Sequence, residues 1–236
     1  MPHSSMTKMN RTLKLIAILG TVTLLGGVPA IAEAKPVAAP ITQQMKVDNF
    51  TRQGIQKAEA GDFNAALIEF DRAVKASPKS ASAYYNRGLA QYGLKNYEAA
   101  IADFNQAIQL NPAYANAYGN RGLIRYAQGN MRGAIADYNQ VLKLNPKDAN
   151  AYNNRALARV ALGDYKGAMR DFTRAIIADP NFADAYYSRG VVANRMGDVQ
   201  GSRADLQQAA DLYRKQGLME EYQYAMNNMQ QLSTVN

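Results

Sequence analysis

The chain has 236 residues, of which 47% are hydrophobic, and it carries a formal net charge of +8. This composition is normal for a folded chain, and the absence of cysteine excludes disulfides and thiolate metal sites. A single histidine, His3, leaves no material for a Ser-His-Asp triad, a Cys-His pair or a histidine-ligated metal. Since no phosphate-binding glycine loop is found either, we expect no enzymatic activity, no small-molecule substrate and no cofactor.

The N-terminal segment has the sequence features of a secretory signal peptide, in the expected order. Three cations, Lys8, Arg11 and Lys14, precede the apolar stretch Leu15–Val28. That stretch is too short to cross a bilayer comfortably. The sequence therefore predicts a signal peptide over residues 1–34.

Two Ala-x-Ala sites follow the apolar stretch, and cleavage after Ala32 or after Ala34 fits equally well. We expect export to the periplasm or an equivalent extracytoplasmic compartment. The alternative is an uncleaved N-terminus that tethers the protein to a membrane. Residues 35–46 contain proline and show no periodicity, which predicts an extended linker.

From Val47 onward the sequence repeats with a period of 34 residues. Positions are counted here from 1 to 34 within each repeat. Position 4 is aromatic, position 8 is Gly or Ala, and position 20 is small. Position 24 is large, position 27 is small or Val, and position 32 is Pro except in the last copy. A fixed period of this size indicates one supersecondary unit stacked on itself. The five repeats are 47–80, 81–114, 115–148, 149–182 and 183–216.

These signature positions resemble the tetratricopeptide repeat. The resemblance implies an all-α fold, a right-handed α-solenoid in which each repeat is an antiparallel pair, helix A over about positions 2–15 and helix B over about 18–31. Repeat five drifts at several positions, as terminal repeats do. Residues 217–236 carry Tyr222 and Met226 at helical spacing and are predicted to form a C-terminal capping helix.

Arginine at position 7 accompanies aspartate at position 23 in the last four repeats. This co-occurrence predicts ion pairs within a repeat or to the preceding one, and guanidinium groups so occupied are not free to bind nucleic acid. The proposed pairs are Arg87 with Asp103, Arg121 with Asp137, Arg155 with Asp171, and Arg189 with Asp205.

Position 6 is asparagine in repeats two to four: Asn86, Asn120 and Asn154. The resemblance implies that this position lies on the concave face of the A helices, with positions 5, 9 and 12. An asparagine amide offers donors and an acceptor, so it can bridge the backbone of an extended peptide. The remaining predicted groove residues are Tyr85, Leu89, Tyr92, Leu123, Tyr126, Leu157 and Tyr187.

The interpretation is a protein-interaction scaffold outside the cytoplasmic membrane whose partner is a protein or peptide segment. The resemblance suggests a role in assembling envelope or membrane complexes. Apart from Arg52, positions 5 and 6 lack cations, which argues against a clamp for a partner's terminal carboxylate. A basic surface for an anionic polymer or nucleic acid is the disfavoured alternative, and contact with a membrane is expected only if the N-terminus is uncleaved.

Overall fold

The computed structural model describes residues 42–232, and every regular element in that range is an α-helix. The predicted all-α fold class is confirmed. The predicted signal peptide and most of the predicted linker lie outside the described residues. The helices are α1 Gln43–Glu59, α2 Phe63–Ala76, α3 Ala81–Gly93, α4 Tyr97–Leu110, α5 Ala115–Ala127, α6 Met131–Leu144, α7 Ala149–Ala161, α8 Tyr165–Ala178, α9 Ala183–Arg195, α10 Val199–Lys215 and α11 Met219–Gln231.

The chain divides into two compact units, residues 1–112 and 113–236. The described part of the first unit holds α1–α4, and that of the second holds α5–α11. Within each unit, helix A packs on helix B of its own repeat, and helix B packs on helix A of the next. Each helix thus buries its apolar side against its sequence neighbours, as a repeat array requires.

Local chemistry sets where the helices begin and end. Most B helices start after an Asp or Asn whose side chain accepts a hydrogen bond from the backbone N–H three residues later, as Asp164 does from Gly167. B helices in the first four repeats end two residues before the position-32 proline.

The turn between helices A and B needs a left-handed residue at position 15. Glycine supplies it in four repeats, for example Gly129 with φ of 79°. In repeat two, the residue with positive φ is Lys95, at 62°, and not its neighbour Asn96. The turn between helices A and B therefore places even a lysine in the left-handed conformation.

Helices A and B approach closely at position 8, as the small residues there predict. A Cβ built on Gly88 would lie 2.8 Å from Cε1 of Phe104, so the ring occupies the space that a side chain would need. The position-24 side chains are at most 2% exposed and form the centre of each repeat: Phe70, Phe104, Tyr138, Phe172 and Leu206.

Both ends of the array differ from the sequence prediction. Helix α1 begins at Gln43, so the last four residues of the predicted linker are helical. Thr42 caps that helix through Met45 N–H, and the Gln43 amide donates to the Ala76 carbonyl. The capping helix is also shorter than residues 217–236, covering Met219–Gln231 and packing on α10. In the described part of the chain, no helix is both long and apolar enough to cross a membrane.

Candidate peptide-binding face

The structure brings each predicted Arg–Asp pair together in the same two-pronged geometry. In repeat two, Arg87 Nε donates to Asp103 Oδ2 at 2.8 Å, and Nη2 donates to Oδ1 at 2.6 Å. Arg155 grips Asp171 in the same way at 2.8 and 2.7 Å. Each aspartate is nearly buried, so this bidentate contact supplies the charge compensation that a buried carboxylate needs.

The same guanidinium also reaches back to the preceding repeat. Its Nη1 donates to the side chain at position 25, and its carbon lies over the position-4 tyrosine ring of its own helix, 5.4 Å from the centroid for Arg87. The sequence left open whether the pair would lie within a repeat or between repeats, and the structure shows contacts of both kinds. The position-25 contacts are Arg87 to Asp71 at 2.8 Å, Arg155 to Asn139 at 2.6 Å, and Arg189 to Thr173 at 3.1 Å.

A cation that was not predicted from the sequence contacts the buried carboxylate in three repeats, in two of them beside the position-7 arginine. It comes from position 11: Arg125 donates to Asp137 at 2.9 Å, and Arg159 donates to Asp171 at 2.6 Å. In repeat one, Lys57 holds Glu69 at 2.7 Å. The available signal was a basic residue at position 11, one helical turn after position 7 and so on the same face of helix A.

These contacts keep the buried groups charged. The hydrogen bond from Lys57 holds the pKa of Glu69 below its ordinary value. The hydrogen bond to Asp103 raises the pKa of Arg87, so this arginine stays protonated. A carboxylate that is ion-paired with such cations stays ionised and stabilises the fold. It is poorly suited to act as a general acid or base toward a substrate.

The position-6 asparagines lie half-buried on the A helices α3, α5 and α7. Asn86 and Asn154 make no hydrogen bond with any other residue in the range 42–232. Helix α5 contacts α7 within the second compact unit. Asn120 and Asn154 therefore occupy equivalent positions on neighbouring A helices.

Apolar side chains accompany these amides. Leu89, Leu123 and Leu157 at position 9 are half-buried, one per helix. Tyr92 is also half-buried, with its ring centroid 5.8 Å from that of Tyr97. Burial raises the pKa of Tyr92, which keeps its hydroxyl protonated and able to donate.

Two predicted groove residues serve the fold instead. Tyr85 is 4% exposed, and its ring centroid lies 5.8 Å from that of Phe104, so it belongs to the core of repeat two. Tyr187 accepts a hydrogen bond from Asn228 Nδ2 at 3.0 Å and packs beneath α11. Neither contact was predictable from the sequence, because position 5 varies among Thr, Tyr, Gly and Asn along the array.

Asn153, at position 5 of repeat four, was not among the predicted residues. It is 7% exposed, and its Oδ1 has no hydrogen-bond partner. The predicted groove residues for which no such structural role is seen stay a prediction: Asn86, Leu89, Tyr92, Asn120, Leu123, Tyr126, Asn154 and Leu157.

Comparison with known proteins identifies the repeat. Sequence models of the tetratricopeptide repeat match residues 81–114, residues 56–95 and 122–162, and residues 153–216. A tetratricopeptide repeat protein 36 homolog from Nematostella vectensis is 38% identical over 76 residues, which is 31% of this chain. The match spans 42% of that relative's length.

Solved structures with the same fold include MamA from Desulfovibrio magneticus, with a TM-score of 0.67 and 19% identity over 72% of this chain and 97% of that one. The protein YrrB, described as a tetratricopeptide-repeat protein with an unusual peptide-binding site, gives a TM-score of 0.62 at 20% identity, covering 75% of this chain and 90% of YrrB. PilF of Pseudomonas aeruginosa gives 0.66 at 13% identity, covering 82% and 95%. At these identities the likeness concerns the fold. Together with the repeat matches and the helix pairs, it leads to one conclusion: the chain belongs to the tetratricopeptide-repeat family and has its α-solenoid fold.

Proposed function

We propose that this protein is a non-enzymatic scaffold that holds an extended segment of a partner protein against its A helices. The observation that carries the proposal occurs in each compact unit separately. Asn86 in the first and Asn154 in the second are partly exposed amides with no hydrogen bond to another described residue, and each lies one helical turn from a half-buried leucine. An amide without an internal partner gains most from a ligand that supplies both a donor and an acceptor.

A peptide backbone is such a ligand. Its N–H and C=O groups can pair with an asparagine whatever its side chains are, while the position-9 leucines and Tyr92 or Tyr126 contact apolar side chains. The ion-pair clusters add to this reading, because they remove the buried carboxylates from chemistry. The peptide-binding site named for YrrB, a protein of the same fold, supports a peptide as the ligand class.

The test is a triple variant, Asn86→Ala, Asn120→Ala and Asn154→Ala. Peptides selected from a random displayed library against the wild-type protein would be titrated by fluorescence polarisation. Each lost hydrogen bond costs on the order of 1 kcal/mol, so the affinity should fall about a hundredfold. Circular dichroism and thermal melting should change little.

A matched control removes three exposed amides from the B helices, Asn64→Ala, Gln109→Ala and Gln140→Ala. This control should bind like the wild type. Equal affinities for wild type and the groove variant would overturn the proposal. A groove variant that loses both affinity and helicity would show that the asparagines are structural, which also contradicts their proposed role.

We also propose that the scaffold acts outside the cytoplasm, where it would assist assembly of an envelope or membrane complex. This rests on the order of cations, apolar stretch and Ala-x-Ala sites in residues 1–34. N-terminal sequencing of protein from the native host should begin at Glu33 or Lys35. Recovery of an intact Met1 on membrane-bound material would favour the tethered alternative.

A further inference from the structure

The outward positions of the B helices differ in charge from repeat to repeat. Positions 18, 22, 26 and 29 fall within one face of helix B, because they are spaced by three or four residues. We call these four positions the outer face. On α6 the outer face is Arg132, Ala136, Gln140 and Lys143, and on α8 it is Lys166, Arg170, Arg174 and Ile177.

These two outer faces carry five cations and no carboxylate. All five cations are exposed, and none forms an ion pair with another residue between 42 and 232. The only acidic residues on the two helices are Asp137 and Asp171, both at most 3% exposed and held by arginines from the A helices. No carboxylate within these two helices therefore pairs with the outer-face cations, and the nearest exposed ones in the sequence are the caps of α8, Asp164 and Asp179.

The B helices of repeats two and five lack this character. The outer face of α10 is Gln200, Ala204, Gln208 and Asp211, which includes a carboxylate and no cation. The outer face of α4 has Glu98 as its charged residue. Helices α6 and α8 belong to consecutive repeats, and α7 packs on both. The outer face of α2 resembles that of α6, with the cations Arg72 and Lys75 and the exposed Ile68, but Arg72 pairs with Glu69. The unpaired positive charge is thus highest on repeats three and four.

An exposed aliphatic side chain completes the α8 outer face. Ile177 is 68% exposed, the most of any large hydrophobic residue in the described range. It follows Arg174 by about one turn, in line with the three cations, which are spaced about 6 Å apart along the helix. The face combines a row of positive charges with an apolar contact at one end.

We propose that the outer faces of α6 and α8 form a second docking surface, separate from the A-helix face, for an acidic protein segment that also carries an apolar side chain. Carboxylates match the unpaired arginines and lysines, and the apolar side chain matches Ile177. The outer faces carry no aromatic side chain. Binding of single-stranded nucleic acid uses aromatic stacking, and amphipathic helices that bind membranes commonly present Trp or Phe. The combination therefore favours a protein partner.

The test uses the purified protein and a labelled synthetic peptide composed of glutamate and leucine. A triple variant removes the three α8 cations through the changes Lys166→Gln, Arg170→Gln and Arg174→Gln. This variant should lower the affinity for the peptide about tenfold, since each exposed ion pair contributes modestly to binding. Ile177→Ser should lower it about threefold. A peptide in which serine replaces leucine should be insensitive to Ile177→Ser.

The control is Lys46→Gln, Lys79→Gln, Lys215→Gln, which removes the same net charge from exposed sites elsewhere. It should stay within about twofold of the wild type. Equal losses in the two triple variants, or no binding of the acidic peptide, would overturn the proposal. Tighter binding of a labelled oligonucleotide or of phosphatidylglycerol vesicles through the same three cations would also overturn it, because the partner class would be wrong.

The triple asparagine variant distinguishes the two surfaces. It should bind the acidic peptide like the wild type, because its changes lie on the A helices. Loss of acidic-peptide binding in that variant would show that the peptide occupies the A-helix face, and would count against a second surface.

Discussion

Repeats four and five bury their position-23 aspartates in different ways. Asp171 in repeat four is 3% exposed and contacts two arginines, Arg155 and Arg159. Asp205 in repeat five is 9% exposed, and Arg189 is its one ion-pair partner between residues 42 and 232, because position 11 is Ala193. Both repeats share the bidentate contact from the position-7 arginine to this aspartate, which we call the fork.

The difference shows that one bidentate arginine is enough to compensate the charge of this buried carboxylate. A second cation is not required for its burial. In repeat four the second arginine has another contact, from Nη1 to the Gly167 carbonyl at 3.2 Å. It thereby connects the A helix to the first turn of α8. Repeat five lacks this connection, so its aspartate depends on a single side chain.

Arg189→Ala should have the largest effect on stability. It would leave Asp205 mostly buried with no cation, and breaking a buried pair in this way costs about 3 kcal/mol. Urea denaturation followed by circular dichroism should show the loss. Arg174→Ala is the control, since this exposed arginine should change stability by less than about 0.5 kcal/mol. Equal effects of the two changes would mean that the fork contributes no stability.

Arg155→Ala should cost less, about 2 kcal/mol, because Arg159 still compensates the charge of Asp171. The same urea titration measures it. The prediction depends on the order of the two losses in the free energy of unfolding. A larger loss for Arg155→Ala than for Arg189→Ala would show that the second cation does not substitute for the first.

Arg159→Ala should cost about 1 kcal/mol, since it removes one charged hydrogen bond to Asp171 and leaves the fork in place. Removing both arginines in the double variant Arg155→Ala, Arg159→Ala should cost more than the sum of the two single changes, because Asp171 would then have neither cation. A double-mutant cycle measures that coupling. Independent, additive effects would contradict the idea that positions 7 and 11 share one carboxylate.

Repeat one extends the comparison, because Glu69 is held by Lys57 and Arg72 while position 7 is Gln53. These partners are well exposed, so Glu69→Gln should cost only about 0.5–1 kcal/mol at neutral pH. The pKa of Glu69 is lowered below 4.5 in the folded state, chiefly by the hydrogen bond from Lys57. Its contribution is therefore present above pH 4.5 and is lost as the pH falls through the lowered pKa. Urea midpoints of wild type and variant should converge in that acidic range, and a constant difference would contradict the assignment.

Much of the fold follows from the period of the sequence. Position 8 had to be small and position 24 large, because helix A and helix B meet there, and Gly88 against Phe104 is such a contact. The ends were harder to predict. The start of α1 depends on Thr42 and Gln43, single polar contacts that create no periodic pattern.

The site was predictable where charges recur and unpredictable where they vary. Arg87 and Asp103 have the same spacing as three other Arg–Asp pairs, and this regularity allowed the ion pairs to be predicted from the sequence. Tyr85 and Tyr187 share position 5, yet one packs on Phe104 and the other beneath α11. Which neighbour covers a side chain depends on the identity of residues far along the chain, and helical spacing alone does not specify it.

The hydrogen bonds that Arg155 and Arg189 make to the preceding repeat differ in strength. Arg155 donates to the amide oxygen of Asn139 at 2.6 Å, whereas Arg189 donates to the Thr173 hydroxyl at 3.1 Å. That hydroxyl is also engaged in donating to the Met169 carbonyl. We expect the contact between repeats four and five to be the weaker of the two. The backbone amides of α9–α11 should then exchange with deuterium before those of α7 and α8.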